Sequence, residues 1–381
     1  MISKDRMTNH LMDTIRIDSP SKKEKPVALK LQKEMEELGA ECFYDDAGDK
    51  VGGDVGNLLV QLKGNSSEAP PFFLSSHMDT VNPGIGIKPK IEDGIMKSDG
   101  TTILGADDKS GLSIIVEVLR TLKEQDIPHG DIEVAFTICE EIGLLGAKYF
   151  DTARLKSDYG IVLDSSTPDR LVLKCPSSDY LTVRVHGLEA HAGLCPENGI
   201  NAIKIASEAI SNMTIGRIDN ETTANIAIIQ GGVATNIVPN LITVTGEARS
   251  HDNDKLDKQV QHMCDCFQQA AANYSVVLEG EKKTPTIDID INRVYEKMDV
   301  SSSAKVTNMV NMAVSNLGHS IEHHTTGGGC DANYFNNNGI ECVNLGTGMY
   351  ELHTVNEYLI LDEFYRSADI VLETLKLNAS T

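Results

Sequence analysis

Ile132-Glu133-Val134-Ala135-Phe136-Thr137-Ile138-Cys139-Glu140-Glu141-Ile142-Gly143 puts apolar side chains on alternate positions, at Ile132, Val134, Phe136 and Ile138, and then stops on two carboxylates. A period of two predicts a buried strand, with Glu140 and Glu141 just beyond its carboxyl end. Phe72 to Ser75, Tyr159 to Leu163 and Cys342 to Leu345 read the same way, and Gly111 to Leu122 between two of them reads as a helix. The first forty residues suggest two more helices. The second carries Val27, Leu31, Met35 and Leu38 on one face, with Ser21 before it and Gly39 after it as start and stop signals. Strands alternating with helices argue for an α/β fold with a mostly parallel sheet, and ligands of such sheets sit at the carboxyl ends of the strands.

From about Asp179 the rhythm changes. Strand Leu181 to Val185, helix Gly199 to Met213, strands Thr223 to Ile229 and Leu241 to Ala248, helix Leu256 to Ala271 and strand Ser275 to Leu278 make one βαββαβ unit, the ferredoxin-like arrangement. The first pattern returns after Pro285 and closes with a helix near Leu361 to Leu375. The expected organisation is therefore one domain, residues 1–177 and 287–381, interrupted by a smaller one at 178–286.

Composition narrows the partners. The 381 residues carry 56 Asp and Glu against 34 Lys and Arg, a net charge of −22 that repels phosphate backbones and anionic lipid surfaces. Neither nucleic acid nor a membrane is expected as a partner. No apolar run approaches a bilayer-spanning length, and Lys4, Asp5, Arg6 and Asp13 interrupt the start of the chain where a secretory signal would need a hydrophobic run. The eight cysteines contain no CxxC pair, so they read as reduced thiols in a cytoplasm.

Chemistry-bearing residues fall at the strand ends. His77-Met78-Asp79 follows Phe72 to Ser75, Glu140-Glu141 follows Ile138, and Asp164 follows Leu163. Gly105-Ala106-Asp107-Asp108-Lys109 opens a helix, and His353 lies in the loop after Leu345. Singly, these are capping or solvated groups, and Asp107 alone would be a helix N-cap. Together, five segments deliverable to one sheet edge bring carboxylates so close that they would repel each other into protonation unless cations sat among them. Two zinc ions supply about +4 against about −3 from three ligating carboxylates, which favours a bound hydroxide at neutral pH. A set of His and carboxylate without thiolate suits catalytic zinc, cobalt or manganese.

Ser76-His77-Met78-Asp79-Thr80-Val81, Leu104-Gly105-Ala106-Asp107-Asp108-Lys109-Ser110-Gly111 and Cys139-Glu140-Glu141-Ile142-Gly143-Leu144-Leu145-Gly146-Ala147 resemble the co-catalytic zinc peptidases of the M20 family, the peptidase T (tripeptide aminopeptidase) group above all. The resemblance spans nearly the whole chain and implies a zinc-peptidase-type catalytic domain with a ferredoxin-like lid. It implies one metal on His77, Asp107 and Asp164, another on Asp107, Glu141 and His353, and Asp107 as the bridge. Asp79 would orient His77 from behind, and Glu140 would be the general base toward a metal-bridging hydroxide.

In the lid the resemblance assigns His191 to the oxyanion, and Asn236 and Arg249 to polar groups of a short peptide substrate. Gly328, in the run Gly327 to Gly329, would let backbone approach that substrate. It also implies a homodimer through the lid. The stretch from His191 to Gly199 is similar to the lid of glutamate-carboxypeptidase-like members, which keeps a carboxypeptidase or N-acyl amino-acid hydrolase as the alternative. Asp164 favours the aminopeptidase, since members that take free-amine peptides tend to carry Asp there and deacylases Glu.

Overall fold

Four strands that the sequence marks as buried, Ile132–Thr137, Phe72–His77, Tyr159–Ser165 and Glu341–Gly346, lie side by side in that order and run parallel in the computed structural model, which describes residues 1–380. In register, His77 sits opposite Thr137 and Gly346 opposite Ser165, so all four carboxyl ends open on one edge. Antiparallel strands flank them, Leu58–Leu62 and Glu41–Tyr44 on one side, Arg170–Cys175 and Met298–Asp299 on the other, and Glu322–Thr325, parallel to Arg170–Cys175, is the ninth strand of the sheet. Phe72, Phe73, Phe136 and Phe364 are fully buried around it, each worth about 1.5–3 kcal/mol of apolar transfer.

The helix Ala106–Glu124 passes through this core with nearly every residue buried. Gly111 makes that passage sterically feasible. A Cβ there would meet the Leu163 carbonyl oxygen at 2.5 Å and Ser76 Oγ at 2.7 Å, so any larger residue would push the helix away from the strand ends. The sequence expectation started this helix at Gly111; the helical segment begins at Ala106 but is broken by non-helical backbone at Asp107 (φ −78°, ψ 102°) and Asp108 (φ −119°, ψ 32°), so Asp107 sits on a kinked turn ahead of the regular helix.

The chain forms two units. One joins Met1–Cys175, Met298–Thr326 and the residues from Cys330 onward; the other joins Pro176–Lys297 and Gly327–Gly329. In the second, the strands Thr222–Gly231, Leu241–Ser250, Ser177–His186 and Thr286–Tyr295 are antiparallel neighbours in that order, with Gly216–Arg217 at the first one's edge. The helices Ala202–Asn212 and Asn253–Ala272 share a hydrophobic core with this sheet, through residues such as Ile205, Val183, Val244 and Phe267.

This is a βαββαβ sheet, but its fourth strand is not the one read from the sequence. Val276–Leu278 turns back on Glu281–Lys283 as a separate hairpin, and Thr286–Tyr295 takes the edge beside Ser177–His186. The reason is turn chemistry. Glu279 and Gly280 both have positive φ, 53° and 83°, which closes a two-residue hairpin and ends the short strand. The second crossing between units accordingly falls after Lys297 rather than at residue 286.

Among the described residues no helix is long and apolar enough to cross a membrane, and all eight cysteines are free thiols.

Candidate metal centre and active site

All five predicted ligands belong to the first unit, and its sheet edge gathers them. His77 is the last residue of its strand and is buried. Its Nδ1 lies 2.9 Å from the backbone oxygen of Asp79, and its Nε2 is 3.1 Å from Asp107 Oδ1. A ring N–H given to the carbonyl leaves Nε2 as the ligand atom. His353 stands on a loop with φ +62°, and its Nε2 is 3.2 Å from Asp107 Oδ2 and 2.9 Å from Glu141 Oε2. Asp107 thus offers one carboxylate oxygen to each imidazole. Asp164, near the end of Tyr159–Ser165, is fixed by Asn344, which accepts its N–H at 2.9 Å and donates to its carbonyl at 2.6 Å.

The family resemblance gives Asp79 the task of orienting His77, and the structure divides that task. The Asp79 carbonyl is the closer partner of the ring, with the carboxylate at 3.4 Å. The carboxylate accepts the Ser21 hydroxyl at 2.6 Å and the backbone N–H groups of Glu140 and Glu141 at 2.9 and 3.3 Å. Its main physical effect is to hold the turn that carries both glutamates. Glu24 supports the same turn from the other side, accepting the N–H of Cys139 at 3.1 Å.

Two groups of donors could each hold a cation: His77, Asp107 and Asp164, and Asp107, Glu141 and His353, with the ligand atoms of each group within 4.8 Å of one another. Glu141 Oε1 is buried and has no hydrogen-bond partner among the described residues, a vacancy of the kind a cation fills. The charges point the same way. Burial pushes Glu140 well above the ordinary carboxylate range, and Asp331, Glu141 and Asp107 push it further, with His77 opposing. Asp164 is likewise driven well above its usual value by burial and by the charges of Glu140 and Asp107. Hydrogen bonds to Asp107 and Glu141 raise His353 to about 10. A cluster that must take up protons when it holds no metal is a cluster shaped for divalent charge.

Sequence reasoning missed three buried acids here. Asp331 accepts the Thr137 hydroxyl, has no hydrogen-bond partner for its other oxygen among the described residues, and is pushed up to about 6 chiefly by burial. Glu24 is pushed up to about 7, by burial first and the Asp79 charge second. Glu357 accepts three backbone N–H groups around Asp107. None follows a buried strand in the sequence, the signal that marked His77, Glu140, Glu141 and Asp164.

A family model for peptidase family M20/M25/M40 matches residues 73–377. The chain belongs to that family. A solved aminopeptidase PepT from Bacillus cereus ATCC 10987 is 39% identical over 100% of both chains, with a TM-score of 0.87. A solved tripeptidase from Staphylococcus aureus subsp. aureus Mu50 is 36% identical over 100% of both, with a TM-score of 0.92. The uncharacterized protein YqjE of Bacillus subtilis strain 168 is 38% identical over 99% of each chain.

The remaining predicted site residues of this M20 peptidase lie in the second unit. His191 is exposed, and its Nδ1 accepts the N–H groups of Gly193 at 3.1 Å and Leu194 at 3.2 Å. Two donors on Nδ1 place the ring proton of the neutral imidazole on Nε2. Asn236 comes beside it through backbone pairing, its carbonyl accepting the Ala192 N–H at 2.9 Å. Arg249 bonds Glu247 at 2.9 Å and keeps a buried Nε without a hydrogen-bond partner among the described residues. The glycine run works differently from the expectation. Gly328 has open space, whereas a Cβ on Gly329 would strike the Tyr295 ring at 2.4 Å, so the close approach that demands glycine there is to Tyr295.

Proposed function

We propose that the chain is a metallo-aminopeptidase of short peptides that releases the N-terminal residue of tripeptides in the cytoplasm, using two zinc ions, with cobalt or manganese as chemical alternatives. One observation carries this reading: two donor groups share Asp107, and Glu140, the neighbour of a donor, is bound to neither. The full-length similarity to an aminopeptidase and a tripeptidase supports the substrate class. His77, Asp107 and Asp164 would hold one ion, and Asp107, Glu141 and His353 the other. When bound, the ions supply Lewis acidity and make water acidic enough to act as a nucleophile near neutral pH.

The protein's own groups do the rest. Glu140, raised in basicity by burial, takes the proton of the attacking water and returns it to the leaving amine. Asp79 holds the Glu140 backbone so that the carboxylate keeps one position. His191, with its proton on Nε2, is a neutral donor suited to the oxyanion of the tetrahedral intermediate, a contact of roughly 3–4 kcal/mol when well placed. Arg249 and Asn236 grip substrate polar groups, with the substrate carboxylate as the natural partner for a guanidinium. The second unit acts as the lid and as the surface of a homodimer.

Matched peptides test the reading. Ala-Ala-Ala should release N-terminal alanine, its C-terminal amide should be cut much more poorly, and its N-acetylated form should be nearly inert. Cleavage of the acetylated peptide at the free-peptide rate, with alanine leaving from the C-terminus, would overturn it in favour of a carboxypeptidase.

A further inference from the structure

Glu357 lies four residues beyond His353, and it is almost completely buried. One oxygen accepts the N–H groups of Leu104 and Gly105 at 2.7 and 2.8 Å, and the other accepts the N–H of Asp107 itself at 3.0 Å. These donors belong to the turn that leads into the helix Ala106–Glu124, whose backbone is non-helical at Asp107 and Asp108 and whose Gly105 has no side chain to satisfy them. A carboxylate placed there satisfies those free N–H groups. The partner arrives from some 250 residues away in the chain.

The loop that delivers it is braced on its own terms. Glu357 N–H bonds the Thr354 carbonyl at 3.1 Å, and Thr354 Oγ1 bonds the Glu351 carbonyl at 2.8 Å. Glu351 and His353 both have positive φ. A short loop with that backbone has little freedom once its far end is pinned. Glu357 pins it to the same turn that presents Asp107, while His353 reaches the Asp107 carboxylate from the near end.

We propose that Glu357 is a positioning residue that locks the Asp107 turn and the His353 loop together, and so sets the geometry of the metal site formed by Asp107, Glu141 and His353. The proposal rests on the two-ion reading above. Glu357 touches no ligand atom and acts through backbone alone. The site on the His77 side depends on it less, because His77 and Asp164 are held by their own strands.

The test is Glu357→Gln, which preserves volume but turns an amide NH2 toward backbone N–H donors, with Glu357→Asp as the variant that keeps the charge. Wild type and variants are stripped of metal and titrated with Co2+ against a competing chelator, and backbone hydrogen exchange of residues 104–107 is followed in the metal-free chain. The wild type is expected to take two ions. Glu357→Gln should weaken the second by about 10- to 100-fold, leave the first within a few-fold, and speed exchange at 104–107. Glu357→Asp should recover part of both effects. Unchanged second-ion binding with unchanged exchange in Glu357→Gln would overturn the proposal. Equal weakening of both ions would also overturn it, by placing Glu357 behind Asp107 alone. Fewer than two ions in the wild type would instead defeat the two-ion reading, whatever the variants' exchange shows.

Discussion

His77 and His353 reach the same carboxylate from opposite kinds of structure. His77 closes a buried parallel strand and is 2% exposed, while His353 rides a left-handed loop and its side chain is 55% exposed. The first is positioned by the ladder that also builds the core. The second is positioned by a few hydrogen bonds between loops. One half of the centre is thus a consequence of folding, and the other half needs dedicated bracing.

The largest effect expected falls on neither histidine. Glu140→Gln keeps the shape of the side chain and removes its ability to accept a proton, so turnover should drop by about a thousandfold with both metals retained. Activity above about a tenth of wild type would show that Glu140 is not the base, and loss of metal would show that it is a ligand.

The histidines themselves should separate. His77→Ala and His353→Ala should each lose one ion, but in the metal-free chain His77→Ala should cost about 2 kcal/mol of stability or more, since it empties a buried, hydrogen-bonded position. His353→Ala should cost less than about 1 kcal/mol, as expected for a half-exposed ion pair. Equal losses in denaturant titrations would break the contrast between sheet and loop.

A smaller effect sharpens it through pH. Hydrogen bonds to Asp107 and Glu141 raise the folded-state pKa of His353 to about 10 from the ordinary imidazole value of 6.5. Its contribution to metal-free stability is therefore complete below about pH 6.5 and lost as pH rises through about 10. The difference in Tm between the metal-free wild type and His353→Ala should shrink over that window. A difference that grows with pH would mean that the imidazole is not held by Asp107 and Glu141.

Legibility from sequence follows the same divide. His77, Glu140, Glu141 and Asp164 could be read because each follows an apolar run whose period betrays a buried strand, and a strand's end fixes where the next side chains go. Asp107 and His353 needed the family resemblance to acquire roles. Glu357, Glu24 and Asp331 carried no local signal, since what makes them matter is a contact with backbone or charge far away in the chain. The misassigned strand of the second unit is a local failure: Val276–Leu278 has the composition of a sheet strand, and only the Glu279-Gly280 turn, weighed against the longer alternation of Thr286–Tyr295, reveals the hairpin.

The most direct test of the central claim is an anomalous difference map from crystals grown with Zn2+, recorded at the zinc edge. Two peaks are predicted, one on either side of Asp107, the first bounded by His77 and Asp164 and the second by Glu141 and His353. A single peak in a fully active enzyme, or two peaks that do not share Asp107, would contradict the bridged centre.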